Sequence, residues 1–290
     1  MRTLTFTVDA EYDGRKLLSF LKTRGGLSSR LIGRLKNEEN GMMRGGERLR
    51  TVDRLHAGDV ITVNIPDEQT VSVRGDVPLD VIYEDDDILV INKPAGLAVH
   101  ESHNHVGDTL ANAVAGYLEK QGRGGVFRAV GRLDKDTSGL MVCALHSYAA
   151  RVLSGKTEKT YFALVEGCYL GSGTIDVPVF RPDPMKTLRE CGRYGERAVT
   201  HWKSVRSAEK LSLLQIRLDT GRTHQIRVHF ASLGTPLCGD EMYGGSRELI
   251  GRHALHCAAV ELTHPVTGEK MRFTAPMPKD METLIKEDPV

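Results

Sequence analysis

The chain has 290 residues, 40% of them hydrophobic and 27% charged, which is an ordinary globular composition with room for one large domain or two unequal ones. Its net charge of +1 singles out no partner. No run approaches the roughly 20 apolar residues that span a bilayer. The N-terminal Met-Arg-Thr-Leu-Thr-Phe-Thr-Val-Asp alternates like a strand and lacks the apolar centre of a signal peptide. No membrane association is expected.

Cys143, Cys168, Cys191, Cys238 and Cys257 are far apart, with no C-x-x-C pair. They make neither a zinc-type spacing nor a disulfide framework. Cys143 and Cys257 sit in apolar runs as small core residues, and a reducing cytoplasm is the expected location.

In chain order, residues 15–37 predict two short helices. Leu17, Leu18, Phe20 and Leu21 form one apolar face, and Leu31, Ile32 and Leu35 the next. Ser28 and Ser29 stand where the second helix needs a cap, with Arg30, Arg34 and Lys36 mostly outward. From Gly14 to Gly58 there are 11 Lys and Arg against 4 Asp and Glu, a local net of +7. That is the electrostatic footprint of a phosphate-backbone partner, although solvated basic surfaces are common. Val60–Ile65 reads as a strand ended by Pro66, and Asp67–Gly75 as a linker. Beyond Val77, strands are expected at Ile88–Asn92, Leu140–Leu145, Tyr161–Val165, Leu211–Leu218 and Ala258–Leu262. Helices are expected over Thr109–Glu119 and from just after Gly221 to about Leu233. Strands outnumber helices without regular alternation, so the class is α+β with a mixed, mostly antiparallel sheet.

The richest stretch is Gly131-Arg132-Leu133-Asp134-Lys135-Asp136-Thr137-Ser138-Gly139. Leu133 can anchor in a core, Arg132 can face a polyanion, and Thr-Ser-Gly has the composition of a tight turn. Asp134 there is a candidate nucleophile or base, or simply a turn cap. Asn92-Lys93-Pro94-Ala95-Gly96-Leu97 ends a strand in a turn, with Lys93 either solvated or a phosphate contact. Lys159 to Gly167 forms a strand that presents Tyr161 on one face, as a core aromatic or as a ring for base stacking. Gly221-Arg222-Thr223-His224-Gln225-Ile226-Arg227-Val228-His229 leaves a strand and opens a helix. His224 and His229 are poorly spaced for a metal and lack a carboxylate partner, so no metal is expected. Arg227 can hold a carboxylate in its ionised form. Gly239-Asp240-Glu241-Met242-Tyr243-Gly244 and His253-Ala254-Leu255-His256 read as a turn and a strand entry.

Taken in order, NKPAGL, RLDKDTSGL, KTYFALVEG, GRTHQIRVH, GDEMYG and HALHCAAVELTHPVTGE resemble the RluA family of RNA pseudouridine synthases, from about Val77 to the C-terminus. The basic region resembles the small S4-like RNA-binding domain. Its matching residues run from Arg15-Lys16-Leu17 through Gly26-Leu27-Ser28 and Gly45-Gly46-Glu47 to Leu55-His56-Ala57-Gly58-Asp59. The resemblance implies an S4-like domain over 1–72 and a catalytic domain over 73–290. It implies Asp134 as the catalytic aspartate, Tyr161 as the residue packing on the target base and a candidate base for a ribose proton, and Arg227 as the partner of the aspartate. Ile226 would line the floor beneath the uracil, and Arg132 would fill the stack left by the flipped nucleotide. Lys93, Arg222 and His224 are expected around the substrate. Gly131 departs from the family, which usually has His before Arg-Leu-Asp.

The implied reaction is an isomerisation needing no cofactor, in keeping with the absence of a G-x-G-x-x-G or phosphate-loop signature. The expected partner is RNA, with large-subunit ribosomal RNA favoured over transfer RNA, and a monomer is the default. One competing reading is a non-catalytic RNA-binding ribosome-assembly factor on the same fold. A second is a glycosidase-type hydrolase, which would need a second carboxylate across the scissile bond.

Overall fold

The computed structural model describes residues 2–66, 75–102, 105–123 and 126–287. In the first stretch, β1 (Arg2–Thr7) leads to α1 (Leu17–Thr23) and α2 (Ser29–Leu35), then to β2 (Met42–Arg44), β3 (Glu47–Arg48) and β4 (Val60–Ile65). The strands form an antiparallel sheet in the order β1-β4-β2-β3. The expected cap is present, because the Ser28 hydroxyl accepts from Leu31 N at 3.1 Å. Leu17, Phe20, Leu21, Leu31, Ile32 and Leu35 pack with Ile61 and Val63 of β4 in a core distinct from the main one. Lys16, Lys22, Arg30 and Lys36 are exposed, whereas Arg24 and Arg44 are engaged by Asp9 and Asp59. The expected linker lies outside the described residues except for Gly75, as does the boundary at residues 72 and 73.

The second body begins with β5 (Val81–Glu84), β6 (Ile88–Lys93), α3 (Leu110–Lys120), β7 (Arg128–Val130), β8 (Ser138–Ala144) and α4 (Ser147–Leu153). It continues with β9 (Glu158–Glu166), β10 (Ser172–Asp176), β11 (Val179–Phe180), β12 (Glu190–Cys191), β13 (Val199–Ser207) and β14 (Leu211–Leu218). It closes with α5 (Gln225–Ser232), β15 (Leu255–Thr263), β16 (Lys270–Thr274) and α6 (Lys279–Glu287). Ten strands form one sheet whose main path is β10-β13-β14-β9-β15-β8-β6-β5, with β16 beside β15 and β7 beside β8. Every described pairing in it is antiparallel except that of β15 with β8. The α+β class with a mixed, mostly antiparallel sheet is therefore correct, although α4, α6, β10 and β13 were not anticipated. Ile88–Ile91, Leu140–Ala144 and Val165 are buried in the main core with Leu110 and Val114 of α3 and Phe230 of α5. Cys143 and Cys257 lie within that core as expected. No helix among the described residues is long and apolar enough to cross a membrane.

The two bodies meet through Asp87. Arg2 Nε and Nη2 donate to its two oxygens at 2.7 and 2.9 Å, and His146 Nε2 lies 2.8 Å from Oδ1. Phe6 and Tyr148 add an edge-on ring contact at 6.5 Å.

Candidate active site

The turn between β7 and β8 carries Asp134. Leu133 is buried in the main core, while Gly131 and Arg132 before it are exposed. A bond from Thr137 N to Asp134 O at 3.2 Å closes the turn. Thr137-Ser138-Gly139 is not itself the turn, as its composition suggested; Ser138 and Gly139 already belong to β8. The reason is tertiary. Thr137 Oγ1 shares a hydrogen bond with His253 Nε2 at 2.8 Å, and Ser138 Oγ one with His256 Nδ1 at 2.9 Å. Gly139 lies so close to β15 that a Cβ would overlap the Cys257 carbonyl. The His-Ala-Leu-His segment is thus the mate of Thr-Ser-Gly. Burial and the charge of nearby Arg227 push His253 down to about 3, so its ring is neutral.

Lys93 is neither solvated nor a phosphate contact. Its side chain is 0% exposed, and Nζ donates to the carbonyls of Pro94 and Leu97 at 2.9 Å each and of Lys135 at 2.8 Å. A lysine has three N–H donors, so all are used within the protein. It fastens the Pro-Ala-Gly turn to the residue after Asp134.

The facing wall is the junction of β14 and α5. The helix begins at Gln225, later than the Gly221 signal suggested. Gln225 Oε1 accepts from Arg222 N at 3.0 Å and Thr220 Oγ1 at 2.9 Å, which holds the intervening residues as a turn. His224 has φ +58°, the single non-glycine residue with positive φ among those described. Such conformations cost energy and collect at functional sites. Here the conformation aims the ring at the cleft, with Nδ1 2.9 Å from the Tyr243 hydroxyl and Nε2 3.9 Å from Asp134 Oδ2. His229 turns away to Thr200 and Val177, so the two histidines share no ligand position. The grouping of potential metal ligands among the described residues is Asp85, Asp87 and His264, where the Arg2 guanidinium already supplies a cation.

Arg227 is 6% exposed and donates from Nη1 to Asp134 Oδ2 at 3.0 Å. Its Nε and Nη2 grip Asp240 at 2.7 and 2.8 Å, and its guanidinium lies 5.0 Å from the Tyr243 ring centre. Asp240 and Tyr243 come from the Gly-Asp-Glu-Met-Tyr-Gly segment, which sequence reasoning left as a turn. A carboxylate 13 residues from an arginine, in a segment with its own turn signals, gave no local sign of the pairing. Asp134 is 21% exposed. Burial alone would raise its carboxyl, but His224 and Arg227 outweigh that and hold it below the ordinary value. His224 is itself lowered by burial, so the permanent cation is Arg227, and Asp134 is an ionised carboxylate at neutral pH.

Tyr161 is buried on β9, and the same face carries Lys159 two residues earlier. Burial raises its phenol well above the ordinary value. The neutral ring can stack and donate, but it would have to lose its proton to act as a base. Tyr161, Asp134, Arg132, Ile226, Arg227, Arg222 and His224 all line one cleft of about 410 Å³, a size that suits a small ligand. Arg222 stands at its rim, exposed, paired with Glu196 and donating from Nε to Arg197 O at 3.1 Å. An ionised aspartate, its arginine, an aromatic ring and a basic rim therefore converge as the sequence motifs implied; of the expected substrate residues, Lys93 alone stays outside.

Residues 87–232 match the family model described as RNA pseudouridylate synthase. The chain belongs to the RNA pseudouridine synthase family. Such a synthase of Bacillus subtilis, named "Uncharacterized RNA pseudouridine synthase YjbO", is 39% identical over 269 residues, covering 90% of this chain and 95% of the relative. "Ribosomal large subunit pseudouridine synthase D" of Xanthomonas campestris is 41% identical over 264 residues, covering 83% and 78%. Among solved structures, "Human RNA Pseudouridylate Synthase Domain Containing 1" shares the fold, with a TM-score of 0.57 at 23% identity, over 73% of this chain and 97% of that one. The residues lining the cleft lie inside the matched region except for Leu255, which follows it, as do the supporting Asp240, Tyr243 and His253.

Proposed function

We propose that the chain converts specific uridines of structured RNA to pseudouridine, with large-subunit ribosomal RNA as the substrate. The observation that carries this is the ionised Asp134 held at 3.0 Å by Arg227 inside a cleft lined by Tyr161. The target base must leave its stack to reach such a cleft, at a cost of a few kcal/mol. Arg132, exposed beside the cleft, fills the gap in the RNA. Tyr161 stacks on the base, Ile226 lies beneath it, and Arg222 and His224 approach the flanking backbone. Asp134 acts at the bond between uracil and ribose. Residues 1–72 serve as an S4-like RNA-binding domain and 73–290 as the catalytic domain, working as a monomer in the cytoplasm without metal or cofactor. The choice of ribosomal RNA draws support from the relatives named for the large ribosomal subunit and from the local net charge of +7 between Gly14 and Gly58.

The test is pseudouridine mapping of total RNA, at nucleotide resolution, in cells with and without the gene. A ribosomal site should vanish, return with the wild-type chain and stay absent with Asp134→Asn. A lost site in transfer RNA would move the substrate, and no lost site in any RNA would favour a binding factor.

A further inference from the structure

Lys159 is a cleft lysine whose amine has no partner in the protein. Its ammonium makes no hydrogen bond or ion pair among the described residues. It lines the cleft two residues before Tyr161 on the same face of β9. The ionisable groups that act on it are the Cys143 and Cys257 thiols, which burial pushes up to about 12 and about 11, so they are neutral. Asp134 offers no compensation, being committed to Arg227. Gly131 leaves the Lys159 nitrogen room: with φ +81°, a Cβ there would stand 3.0 Å from Nζ. A half-buried amine with no partner in the protein costs stability, and burial lowers Lys159 from its ordinary value. Groups kept at such cost inside a cleft are candidates for work on a ligand.

The ligand must bring an acceptor to the floor of the cleft, beside Tyr161. A backbone phosphate stays at the solvated rim with Arg132 and Arg222, whereas a flipped base reaches the floor. We infer that Lys159 donates to a carbonyl oxygen of the flipped uracil and stabilises the negative charge that collects on the ring as its bond to ribose breaks. This rests on the reading of the cleft given above. In that reaction the C1′–N1 bond breaks with its electron pair on the uracil, and the deficit at C1′ is met with the help of Asp134. The ring turns, its electrons form the C1′–C5 bond, C5 gives up its proton and N1 takes one up, so atoms and charge balance. Between the two bonds the uracil is an anion, and a donor placed at its oxygen acts more strongly there than on the neutral base.

The experiment uses the full chain with RNA from cells lacking the gene, labelled with tritium at uracil C5, which is released when C5 bonds to ribose. Lys159→Met and Lys159→Gln should slow single-turnover release by about 100-fold or more, as loss of one such donor does elsewhere. RNA affinity and its salt dependence should not change, and the thermal midpoint of the free protein should hold or rise, because a lysine without a partner in the protein has been removed. An unchanged rate would overturn the proposal. So would weaker binding with a salt slope lower by about one contact, the mark of a phosphate ligand, or a lowered midpoint, the mark of a scaffold role. If the wild-type chain binds these RNAs and releases tritium from none of them, the uridine reading of the cleft fails, not the assignment of Lys159 alone.

Discussion

Asp240 holds Arg227 by two bonds, at 2.7 and 2.8 Å, and leaves one guanidinium nitrogen to reach Asp134. The arginine is therefore aimed by a residue that does not face the cleft. Asp240→Asn weakens that grip and lets the guanidinium swing. Turnover should fall about 10- to 100-fold, as for other small misplacements of reacting groups, with RNA affinity unchanged. Asp240→Ala should also cost about 3 kcal/mol of stability by leaving a buried charge half-paired. Single-turnover kinetics beside a urea titration measure both; undiminished turnover would mean that Arg227 needs no second carboxylate.

Tyr161 meets the cleft as a neutral phenol. If its ring is what matters, Tyr161→Phe keeps turnover close to wild type. Tyr161→Ala should then lose about 10- to 100-fold, the equivalent of the roughly 1–3 kcal/mol that an aromatic stack on a base provides. A Phe variant as poor as the Ala variant would return the hydroxyl to the role of base at the ribose.

Lys93 fastens two turns through three carbonyls, and burial pushes it down to about 7. As pH rises through that value the amine loses a proton and one of its three donors, so the turn that carries Asp134 slackens. Activity should decline on the alkaline side. Lys93→Met, with no donor at any pH, should lie about 100-fold below wild type and lack that alkaline decline. A pH–rate profile of both proteins decides the matter.

Asp87 joins the two bodies. Burial pushes its carboxyl up, but bonds from His146 and Arg2 outweigh this and set it at about 2, against an ordinary 3.8. A folded value below the unfolded one means that the stabilisation is complete above pH 3.8 and is lost as pH falls towards about 2. Its size is about 2 kcal/mol. Denaturation of wild type and Asp87→Asn from neutral to acid pH should show a gap that narrows by that amount below about pH 4; a constant gap would mean that the carboxylate's charge is idle.

The parts of this fold legible in sequence were those set by local pattern. Ser28 capped its helix, Leu211–Leu218 formed its strand, and Asp134, Arg227 and Tyr161 came together in one cleft as the motifs implied. What escaped was non-local. Lys93 looks like a surface lysine until carbonyls from residues 94, 97 and 135 surround it. Asp240 looks like a turn residue until α5 presents Arg227 to it. The late start of α5 depends on a side chain, Gln225, that folds back on its own approach. The burial of His253 follows from pairing with a segment 116 residues earlier.

The placement of β15 has a consequence for how the molecule comes into being. It lies between β9 and β8, although it follows both by a long stretch of chain. Before it enters, the large sheet is two fragments, one ending at β9 and the other at β8, each with an open edge suited to mispairing. Asp134 belongs to the β8 fragment, and Arg227 follows β14 in the β9 fragment. The core within residues 2–66 can close early during synthesis, which proceeds from the N-terminus. The aspartate and its arginine, by contrast, are brought into register by a strand made near the end. A chain halted before Leu255 lacks the strand that joins the two fragments, and with it the element that sets the aspartate and its arginine in register.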